Sequence, residues 1–471
     1  MFYMKLKKYD KSIIFIIFTI FISLLIWWIS LPVFQSFDEP AHFAQIQHIA
    51  ETNQYDMNNT ISNEQFLLEN FLKFNIFNAN VNSQYHFISK NYNIRKYIFD
   101  KKSNTKINRN TFTHVAIVEN YPPLYYYISA VVYKITKQKS IFFSIEAIRF
   151  ISIFFFLITL IFSYKIALLI FPEDIWIQYC TVIFIGFLPM LSQLSVSINP
   201  DNLLITLFTL FTYYSLKLLR SSGFSQKTNI VLVIILLLGF MTKQSAYILC
   251  IPYLFLIGYK LKNKKLSLRY KQILILGFFF LILIFFFLKG FTLIFDYISG
   301  TFNSWKYFSP LDYIYKYSTN YFFNGYVFQS FWGAFGWGFF KFPQQYYDIL
   351  YLFLSTSIIG IIIYYYNLTY ITKKNRKLLY TINYLIILSL TYSLFLVYLD
   401  FISIKNTGTF FIQGHYFFEI ITANTILFLF GIGEFFKRFK LKNTIYFIII
   451  IGIVLLNTTG LFQILINKFY L

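Results

Sequence analysis

The stretch IIFIIFTIFISLLIWWISL, from Ile13 to Leu31, is almost entirely apolar and contains no charged residue. Its length is close to the roughly 20 residues that a helix needs to cross a bilayer. Basic residues precede it and predict a cytoplasmic start for this first span: Lys5, Lys7, Lys8 and Lys11. No small-residue cleavage site follows the run, so we expect it to be retained as a span. The residues after Leu31 are then expected on the outer side of the membrane.

Similar runs recur along the whole chain. Hydrophobic residues make up 57% of the sequence and charged residues 13%, whereas a globular domain has about 25% charged residues. The mean hydropathy is +0.58. These values predict an all-α integral membrane protein, a single polytopic domain over residues 1–471 with about 11 or 12 transmembrane helices. The further apolar runs are Tyr121–Ile135, Ile145–Phe171, Ile175–Ile198, Asp201–Leu219, Ile230–Met241, Ser245–Tyr259, Gln272–Phe295, Tyr346–Tyr366, Leu378–Ile402, Tyr416–Phe436 and Thr444–Ile466.

The charge distribution indicates which partners to expect. The formal net charge is +22, but the Lys and Arg residues lie in short segments beside apolar runs, as in cytoplasmic loops. This pattern predicts contact with membrane lipids and no nucleic-acid partner. The cysteines, Cys180 and Cys250, lie inside apolar runs. Neither a disulfide framework nor a cysteine metal site follows from them.

Two long segments are expected outside the membrane: a first extracytoplasmic loop over residues 32–121 and a second over residues 296–345. In the first loop, Ala41–Glu51 has apolar residues at helical spacing, which predicts interfacial helices along the membrane surface. Basic clusters at residues 260–271, 373–377 and 437–442 indicate the inner side. Counting spans back from these clusters places Asp201 outside, together with Asp38. Three apolar runs lie between these two aspartates, and an odd number of crossings cannot return the chain to the same side. Tyr121–Ile135, the short run, is therefore predicted not to cross the membrane. The rival topology lets it cross and merges Ile230–Tyr259 into one span.

The motif SFDEPAH, residues 36–42, follows the first span and contains adjacent carboxylates, Asp38 and Glu39. One interpretation is structural, because Pro40 suits a first helical turn and an acidic residue can cap that helix. The other is functional, because acidic groups at a membrane boundary are costly unless they are paired or useful. We expect this pair to be the reactive centre, with His42 one turn away as its assistant or as a helix-surface residue.

Two further polar breaks interrupt apolar runs. Asp201 follows Asn199-Pro200 and is either a helix cap or a second acidic group on the outer face. Lys243 and Gln244 lie in the motif MTKQ between two short apolar runs. Lys243 can extend to the headgroup level, or it can bind a phosphate or a carboxylate.

Two motifs near the C-terminal end complete the set. SFWGAFGW contains Trp332 and Trp337, which can anchor the chain at the membrane interface. Aromatic ring faces also bind sugars, and Trp332 is the predicted contact. Gln413, His415 and Tyr416 open the eleventh apolar run, where His415 is either a satisfied interfacial histidine or a phosphate contact. In the predicted topology all these polar breaks face the outer side. They form one cavity suited to transfer chemistry on an anionic substrate held in the bilayer.

Six motifs carry a resemblance to a known family: SFDEPAH, YPPLYY, INPDN, MTKQ, SFWGAFGW and QGHYF. Their order, from Ser36 to Phe417, resembles a bacterial family of polytopic membrane proteins of unknown function within the C-type (GT-C) glycosyltransferase superfamily. The resemblance implies a GT-C-like helix bundle in the bacterial cell membrane. It also implies sugar transfer from a polyprenyl-phosphate-linked donor to a glycan, lipid or protein acceptor of the cell envelope.

Carried over to this chain, the resemblance assigns Asp38 as the base, with Glu39 as its partner. Lys243 and the QGHYF segment would hold the lipid phosphate. The family pattern usually has Arg where this chain has His415, and His is charged only at lower pH. Phosphate binding at His415 is therefore expected to depend on pH. Asp38 and Asp201 could also share a divalent cation, although two carboxylates alone do not specify a metal site.

A flippase or exporter of polyprenyl-linked sugars or polysaccharide is the alternative function. A transporter needs polar groups near the bilayer midplane, whereas here the span centres are mostly Phe, Ile and Leu. That pattern favours an enzyme at the outer face. Glu146, Arg149 and Lys165, which lie beside or within the third apolar run, are the residues that support transport.

Overall fold

A computed structural model describes residues 11–55, 60–71, 112–115, 121–262, 313, 325–338, 340–367, 376–407 and 412–467. The elements that position the site are mostly helices. In chain order they are α1 (Lys11–Ser30), α2 (Glu39–Thr52), β1 (Thr60–Ser62), α3 (Asn63–Phe71), β2 (Phe112–Val115), α4 (Leu124–Thr136), α5 (Ile141–Ile170), α6 (Ile175–Gly186), α7 (Pro189–Ser195), α8 (Asp201–Arg220), α9 (Gln226–Phe240), a 3₁₀ helix (Gln244–Leu249), α10 (Cys250–Lys262), α11 (Tyr326–Trp332), β3 (Ala334–Phe335), β4 (Phe340–Lys341), α12 (Gln344–Tyr366), α13 (Arg376–Thr407), a 3₁₀ helix (Gly414–Ile420), α14 (Ile421–Lys437), α15 (Lys442–Thr458) and a π helix (Thr459–Ile466).

The predicted all-α integral membrane class is confirmed. Among the described residues, seven helices are long and apolar enough to cross a membrane, or up to eight if a bent pair counts as one span. Within the described ranges, the strands form two small antiparallel pairs, β1 with β2 and β3 with β4. The predicted span Gln272–Phe295 and large parts of both predicted loops lie outside the described residues.

The run Ile175–Ile198, predicted as one span, is broken in the structure. Helices α6 and α7 meet at an angle of 61°. Leu188 has extended backbone angles (φ −68°, ψ 116°) and Pro189 begins α7. The break has a local cause, because proline disfavours helical angles in the residue before it and provides no N–H to continue the helix.

The run Tyr121–Ile135, predicted not to cross the membrane, forms the short helix α4. Its 13 residues span about 20 Å, whereas the hydrocarbon core is about 30 Å thick. Helix α4 lies beside α2 and runs in the same direction. Contacts repeat along the two helices: Tyr126 hydroxyl to His42 Nδ1 at 3.0 Å, Tyr133 hydroxyl to Gln47 at 2.9 Å, and Lys137 to Glu51 at 3.1 Å.

Helix α2 lies in the segment predicted to carry interfacial helices, and it is enclosed by other parts of the protein. Every residue from Glu39 to Ala50 is buried. The second face of α2 is covered by the β1 and α3 segment, where Ala41 and Ala44 pack against Ile61. Polar side chains on that face bond to protein groups, as Gln47 does to the Glu64 carboxylate at 2.9 Å. Because residues far along the chain supply this cover, the helical periodicity alone did not reveal it.

Helix α8 is buried along most of its length, from Asp201 to Leu218. It packs against α5, α9, α14 and the 3₁₀ helix Gly414–Ile420. Its N-terminus therefore meets the polar segments described below, and its C-terminus ends in basic residues, Lys217 and Arg220. Basic groups there complement the negative end of the helix dipole.

Candidate active site

Asp38 immediately precedes α2 and has a left-handed backbone conformation, with φ 57° and ψ 7°. Such angles are uncommon for residues other than glycine and cost roughly 1–3 kcal/mol. The Asp38 side chain makes no capping hydrogen bond to the helix, and it is exposed, whereas Glu39 and Pro40 beside it are buried. Helix capping therefore does not account for an aspartate at this position.

Glu39 forms a buried ion pair with Arg149 on α5. Its Oε1 atom accepts from Arg149 Nε at 2.7 Å and from the Ile198 amide at 3.1 Å. Its Oε2 atom accepts from Arg149 Nη2 at 2.6 Å and from the Phe34 amide at 3.0 Å. These bonds fill the approximately four acceptor positions of a carboxylate. Glu39 is thus occupied by structural contacts and does not share the exposure of Asp38.

Arg149 uses its remaining donors on the loop after α1. Its Nη1 and Nη2 atoms donate to the carbonyls of Leu31 at 2.8 Å and Pro32 at 2.9 Å. A further bond reaches Glu146 at 3.3 Å. The guanidinium therefore ties α5 to the end of α1 and to the start of α2. This contact fixes the backbone on which Asp38 is carried.

A second ion pair joins the N-terminus of α8 to the break after α9. Lys243 Nζ donates to Asp201 Oδ1 at 2.6 Å, and both side chains are largely buried. The Lys243 ammonium lies over two aromatic rings, with centroids at 5.0 Å for Tyr121 and 4.9 Å for Tyr416. The Asp201 amide donates to Asn199 Oδ1 at 2.8 Å, so the Asn-Pro-Asp break is stabilised locally. Four separate parts of the chain meet at this lysine.

The QGHYF segment is held against α11. The Gly414 amide donates to Ser330 Oγ at 2.7 Å. A Cβ atom on Gly414 would lie 2.0 Å from the Phe331 amide nitrogen, so only glycine permits this approach. The adjacent His415 ring stacks on Phe37 at 5.2 Å and contacts the Tyr416 ring at 4.4 Å. His415 thus lies beside the residue that precedes Asp38.

The pKa values of nearby groups link these segments electrostatically. Incomplete solvation inside the protein raises the pKa of Asp38, the Lys243 charge opposes this, and the Asp201 charge adds to it. Burial lowers the pKa of His42 to about 3, so its imidazole is neutral. Burial raises the pKa of Tyr326 to about 12, and the Asp38 charge contributes. Asp38, Asp201 and Lys243 therefore act on one another as a single charged cluster.

Several buried polar atoms near this cluster have no hydrogen-bond partner in the described part of the chain. They include Gln413 Oε1, His415 Nδ1 and Glu419 Oε2, all in or beside the 3₁₀ helix Gly414–Ile420. The hydroxyl of Tyr392, on the packed helix α13, interacts with the Glu419 carboxyl group. Buried polar groups are normally satisfied, so such a group calls for an explanation such as a functional role. Gln413 Oε1 and His415 Nδ1 are therefore candidate contacts for a ligand.

Two predicted site residues occupy different surroundings. Trp332 is buried, and its ring packs edge-on against Phe184 at 5.9 Å. Trp337 of the same motif contacts SFDEPAH instead: its Nε1 atom donates to the Phe34 carbonyl at 3.0 Å, and its ring lies 6.1 Å from that of Phe37. Gln244 is exposed at the start of its 3₁₀ helix. The structure therefore brings Trp337, and not Trp332, to the Asp38 loop.

A shared metal site for Asp38 and Asp201 was one expectation. Asp201 holds Lys243 at 2.6 Å instead. The described residues contain no group of three or more His, Cys, Asp or Glu side chains arranged to hold a metal ion. The donor set here is an acid paired with a lysine, which does not fit a two-carboxylate metal site. No chemical step is assigned to a metal.

Comparison with protein families gives a match over residues 21–423 to DUF2142, described as a predicted membrane protein. The chain belongs to this family. It is a multi-pass membrane protein of the DUF2142 family, in agreement with the seven or eight spans of the described residues. No curated protein matches the sequence significantly.

The DUF2142 chain is also similar in structure to ArnT from Cupriavidus metallidurans in two states. For the apo state the identity is 13% and the TM-score 0.40, covering 89% of this chain and 59% of that chain. For the state bound to undecaprenyl phosphate the identity is 11% and the TM-score is 0.42, and the alignment covers 96% of this chain and 77% of the ArnT chain. In the first alignment this chain spans less than two thirds of the length of ArnT.

The predicted site residues that come together around the Asp201–Lys243 pair are Asp38, His42, Asp201, Lys243, Gln413, His415 and Tyr416. Sequence reasoning missed Tyr326 and Glu419, and it selected Trp332 where the structure brings Trp337 to the site. Of these, Glu419 had a usable signal, because an acid inside an apolar run is a candidate functional residue by default.

Proposed function

We propose that this protein transfers a sugar from a polyprenyl-phosphate-linked donor to a cell-envelope acceptor at the outer face of the membrane. The observation that carries the proposal is Asp38: an exposed carboxylate on a strained backbone, beside a buried lysine–acid pair. The motif resemblance to GT-C glycosyltransferases supports the same function. Donor, acceptor and membrane side are all part of the proposal.

In the proposed reaction, Asp38 is the general base. The acceptor hydroxyl gives its proton to the Asp38 carboxylate while its oxygen attacks the anomeric carbon of the sugar. The bond from that carbon to the phosphate oxygen breaks, and the polyprenyl phosphate leaves with the electron pair. The configuration at the anomeric carbon is inverted. A carboxylate with a raised pKa suits this task, because proton transfer is most efficient when the pKa of the base approaches the working pH.

The donor phosphate is assigned to the Lys243 side of the cluster. The Lys243 ammonium gives a charge-assisted contact, and the tyrosine rings of Tyr121 and Tyr416 keep it between them. His415 Nδ1, which has no partner among the described residues, can donate to a phosphate oxygen in the appropriate tautomer. These groups would hold the leaving group while Asp38 receives the proton.

Glu39 is assigned a positioning role. Its carboxylate is filled by Arg149 and by two backbone amides, so it has no acceptor position left for a substrate proton. The pair fixes the loop from Phe34 to Glu39. In that way it sets the direction of Asp38 without reaching the substrate.

A flippase or exporter of polyprenyl-linked sugars is the second candidate function. Glu419 and Tyr392 favour it, because they are buried polar groups in helices long enough to span the membrane. Arg149, which supported transport at the level of sequence, is fixed to Glu39 and to backbone carbonyls. A charge held in that way does not line a transport path.

The test uses purified full-length protein and a panel of synthetic polyprenyl-phosphate sugars. We expect transfer by wild type and a loss of about 10²- to 10⁴-fold in Asp38→Asn, the range typical of a missing general base. The matched control is Asp348→Asn, which removes the same charge from an exposed position on α12. It should leave transfer unchanged.

Two outcomes would contradict the proposal. If Asp38→Asn retains transfer within about threefold of wild type, the base assignment fails. If wild type transfers nothing but moves labelled lipid-linked sugar across proteoliposomes, the flippase is correct. Thermal unfolding of each variant shows whether a loss of activity reflects a loss of fold.

A further inference from the structure

A second polar cavity lies where helices α8, α10 and α13 end or begin. Its volume is about 360 Å³. We call it the basic cavity, because its lining contains four cationic residues: Arg220, Lys260, Arg376 and Lys377. No acidic residue is part of that lining as the described residues define it. Like charges gathered around a cavity repel one another unless an anion occupies it.

Two basic residues of α13 lie at its N-terminal end, where the helix dipole is unfavourable for cations. Arg376 and Lys377 are its first two residues, and its first turn contains no acid. The positive end of a helix dipole disfavours cations and favours anions. Within the described residues, neither side chain forms an ion pair with an acid. An anion in the cavity would interact favourably with both cations and with the positive end of the helix dipole.

The position of the cavity places it at a membrane face. Helix α8 runs from Asp201, in the candidate active site, to Arg220, in the basic cavity. Its 20 residues span about 30 Å, the thickness of the hydrocarbon core. The basic cavity is therefore at the opposite face of the membrane from Asp38. Tyr259 and Tyr380, with ring centroids 5.4 Å apart, border it as aromatic residues do at the headgroup level.

An apolar stripe leads from the cavity along α10. Ile251, Phe255 and Tyr259 follow at intervals of four residues and so share one face of the helix. Ile251 and Phe255 are 52% and 49% exposed, which is expected of side chains that contact lipid. The stripe provides a surface for an acyl chain on the same helix that carries Lys260, and it leads away from the cationic groups along α10. A free phosphate would have no use for it.

The geometry points to a binding site for the phosphate of an anionic glycerophospholipid in the basic cavity, with an acyl chain along the Ile251–Phe255 stripe. Lys260 is fixed by its bond to the Ser221 carbonyl at 2.9 Å and contributes its charge from the wall of the cavity. Arg376 and Lys377, at the start of α13, contact the headgroup from the other side of the cavity lining. The site is separate from the candidate active site and does not depend on the proposed function.

The experiment measures lipid binding to the purified full-length protein by native mass spectrometry and by thermal unfolding. The probes are dioleoyl phosphatidylglycerol, dioleoyl phosphatidylcholine and inorganic phosphate. The test variant is Arg376→Gln with Lys377→Gln, both at exposed positions. The matched control is Lys217→Gln with Lys227→Gln, which removes two exposed charges outside the cavity.

We expect phosphatidylglycerol to bind and to raise Tm in wild type and in the control, with little effect of phosphatidylcholine. The test variant should bind phosphatidylglycerol about 10- to 30-fold more weakly, since each basic residue near a membrane surface contributes about 1 kcal/mol. An equal loss in the control variant would overturn the proposal in favour of a diffuse surface charge. Equal stabilisation by inorganic phosphate would overturn the assignment to a lipid.

Discussion

The Glu39–Arg149 pair and the Asp201–Lys243 pair are both buried ion pairs near the ends of helices, but their surroundings differ. Arg149 directs its guanidinium at the Glu39 carboxylate and at backbone carbonyls, and Glu39 accepts two backbone amides in return. Lys243 meets Asp201 at one oxygen and faces the rings of Tyr121 and Tyr416. The first pair joins segments of backbone, and the second faces side chains.

This difference separates structural acids from reactive ones. A charge whose hydrogen-bond positions are all filled by its own protein fixes the fold around it. An ion pair bordered by aromatic rings, an exposed Asp38 and unpartnered polar atoms keeps hydrogen-bonding capacity for a ligand. We therefore expect substitutions in the first pair to affect stability, and substitutions in the second pair to affect binding.

The largest expected effect is on stability, in Arg149→Leu. The substitution leaves the Glu39 carboxylate buried without its cation, which typically costs about 3–5 kcal/mol. The expected result is a large drop in Tm in detergent or failure to accumulate as folded protein. Fluorescence-detected thermal unfolding and size-exclusion profiles measure both outcomes.

Two controls make that prediction specific. Arg438→Leu removes the same charge from an exposed position and should change stability by less than about 0.5 kcal/mol. The double variant Glu39→Leu with Arg149→Leu removes both charges, so it should recover part of the loss. A single Arg149→Leu variant as stable as wild type would show that the pair does not hold the Asp38 loop.

Lys243→Met should affect ligand binding more than stability, in contrast to Arg149→Leu. The Asp201 carboxylate keeps the favourable positive end of α8, so the stability loss should stay at about 1–3 kcal/mol. Binding of polyprenyl phosphate should weaken by about 10- to 100-fold, the value of a charge-assisted hydrogen bond. Titration of fluorescent polyprenyl phosphate measures this, with Lys227→Met as the exposed control. Unchanged binding would remove Lys243 from the substrate site.

The parts of the fold that the sequence predicted are those set by local composition. The first span, the start of α8 at Asp201 and the short helix after Tyr121 all follow from apolar runs and from proline positions. The break at Pro189 had the same kind of local signal, but the apolar composition on both sides of it concealed it. Hydropathy identifies a run and does not show where the run bends.

The parts of the site that the sequence did not predict depend on distant contacts. Glu39 and Asp38 are adjacent and chemically alike, and only Arg149, 110 positions along the chain, distinguishes them. The choice between Trp332 and Trp337 likewise depends on a turn with positive φ at Gly336 and Gly338. Such turns redirect the chain over a few residues, and the aromatic composition of the motif contains no sign of the direction.

The smallest expected effect concerns Asp38 and pH. Its pKa is raised in the folded protein, first because the surrounding protein atoms limit its solvation, so the ionised carboxylate opposes folding. Below its ordinary pKa of 3.8 the group is protonated in both states and costs nothing; the cost appears as pH rises through the raised pKa. Asp38→Asn should therefore be slightly more stable than wild type at neutral pH, by about a degree or two in Tm.

That advantage should disappear in acid, where wild-type Asp38 is protonated, and sugar transfer by wild type should fall over the same pH range because the base is lost. Thermal unfolding of both proteins between about pH 4 and about pH 8 measures the first effect. Transfer assays of wild type measure the second. If Asp38→Asn is less stable than wild type at neutral pH, Asp38 has a structural role like that of Glu39, and the contrast between the two neighbouring carboxylates fails.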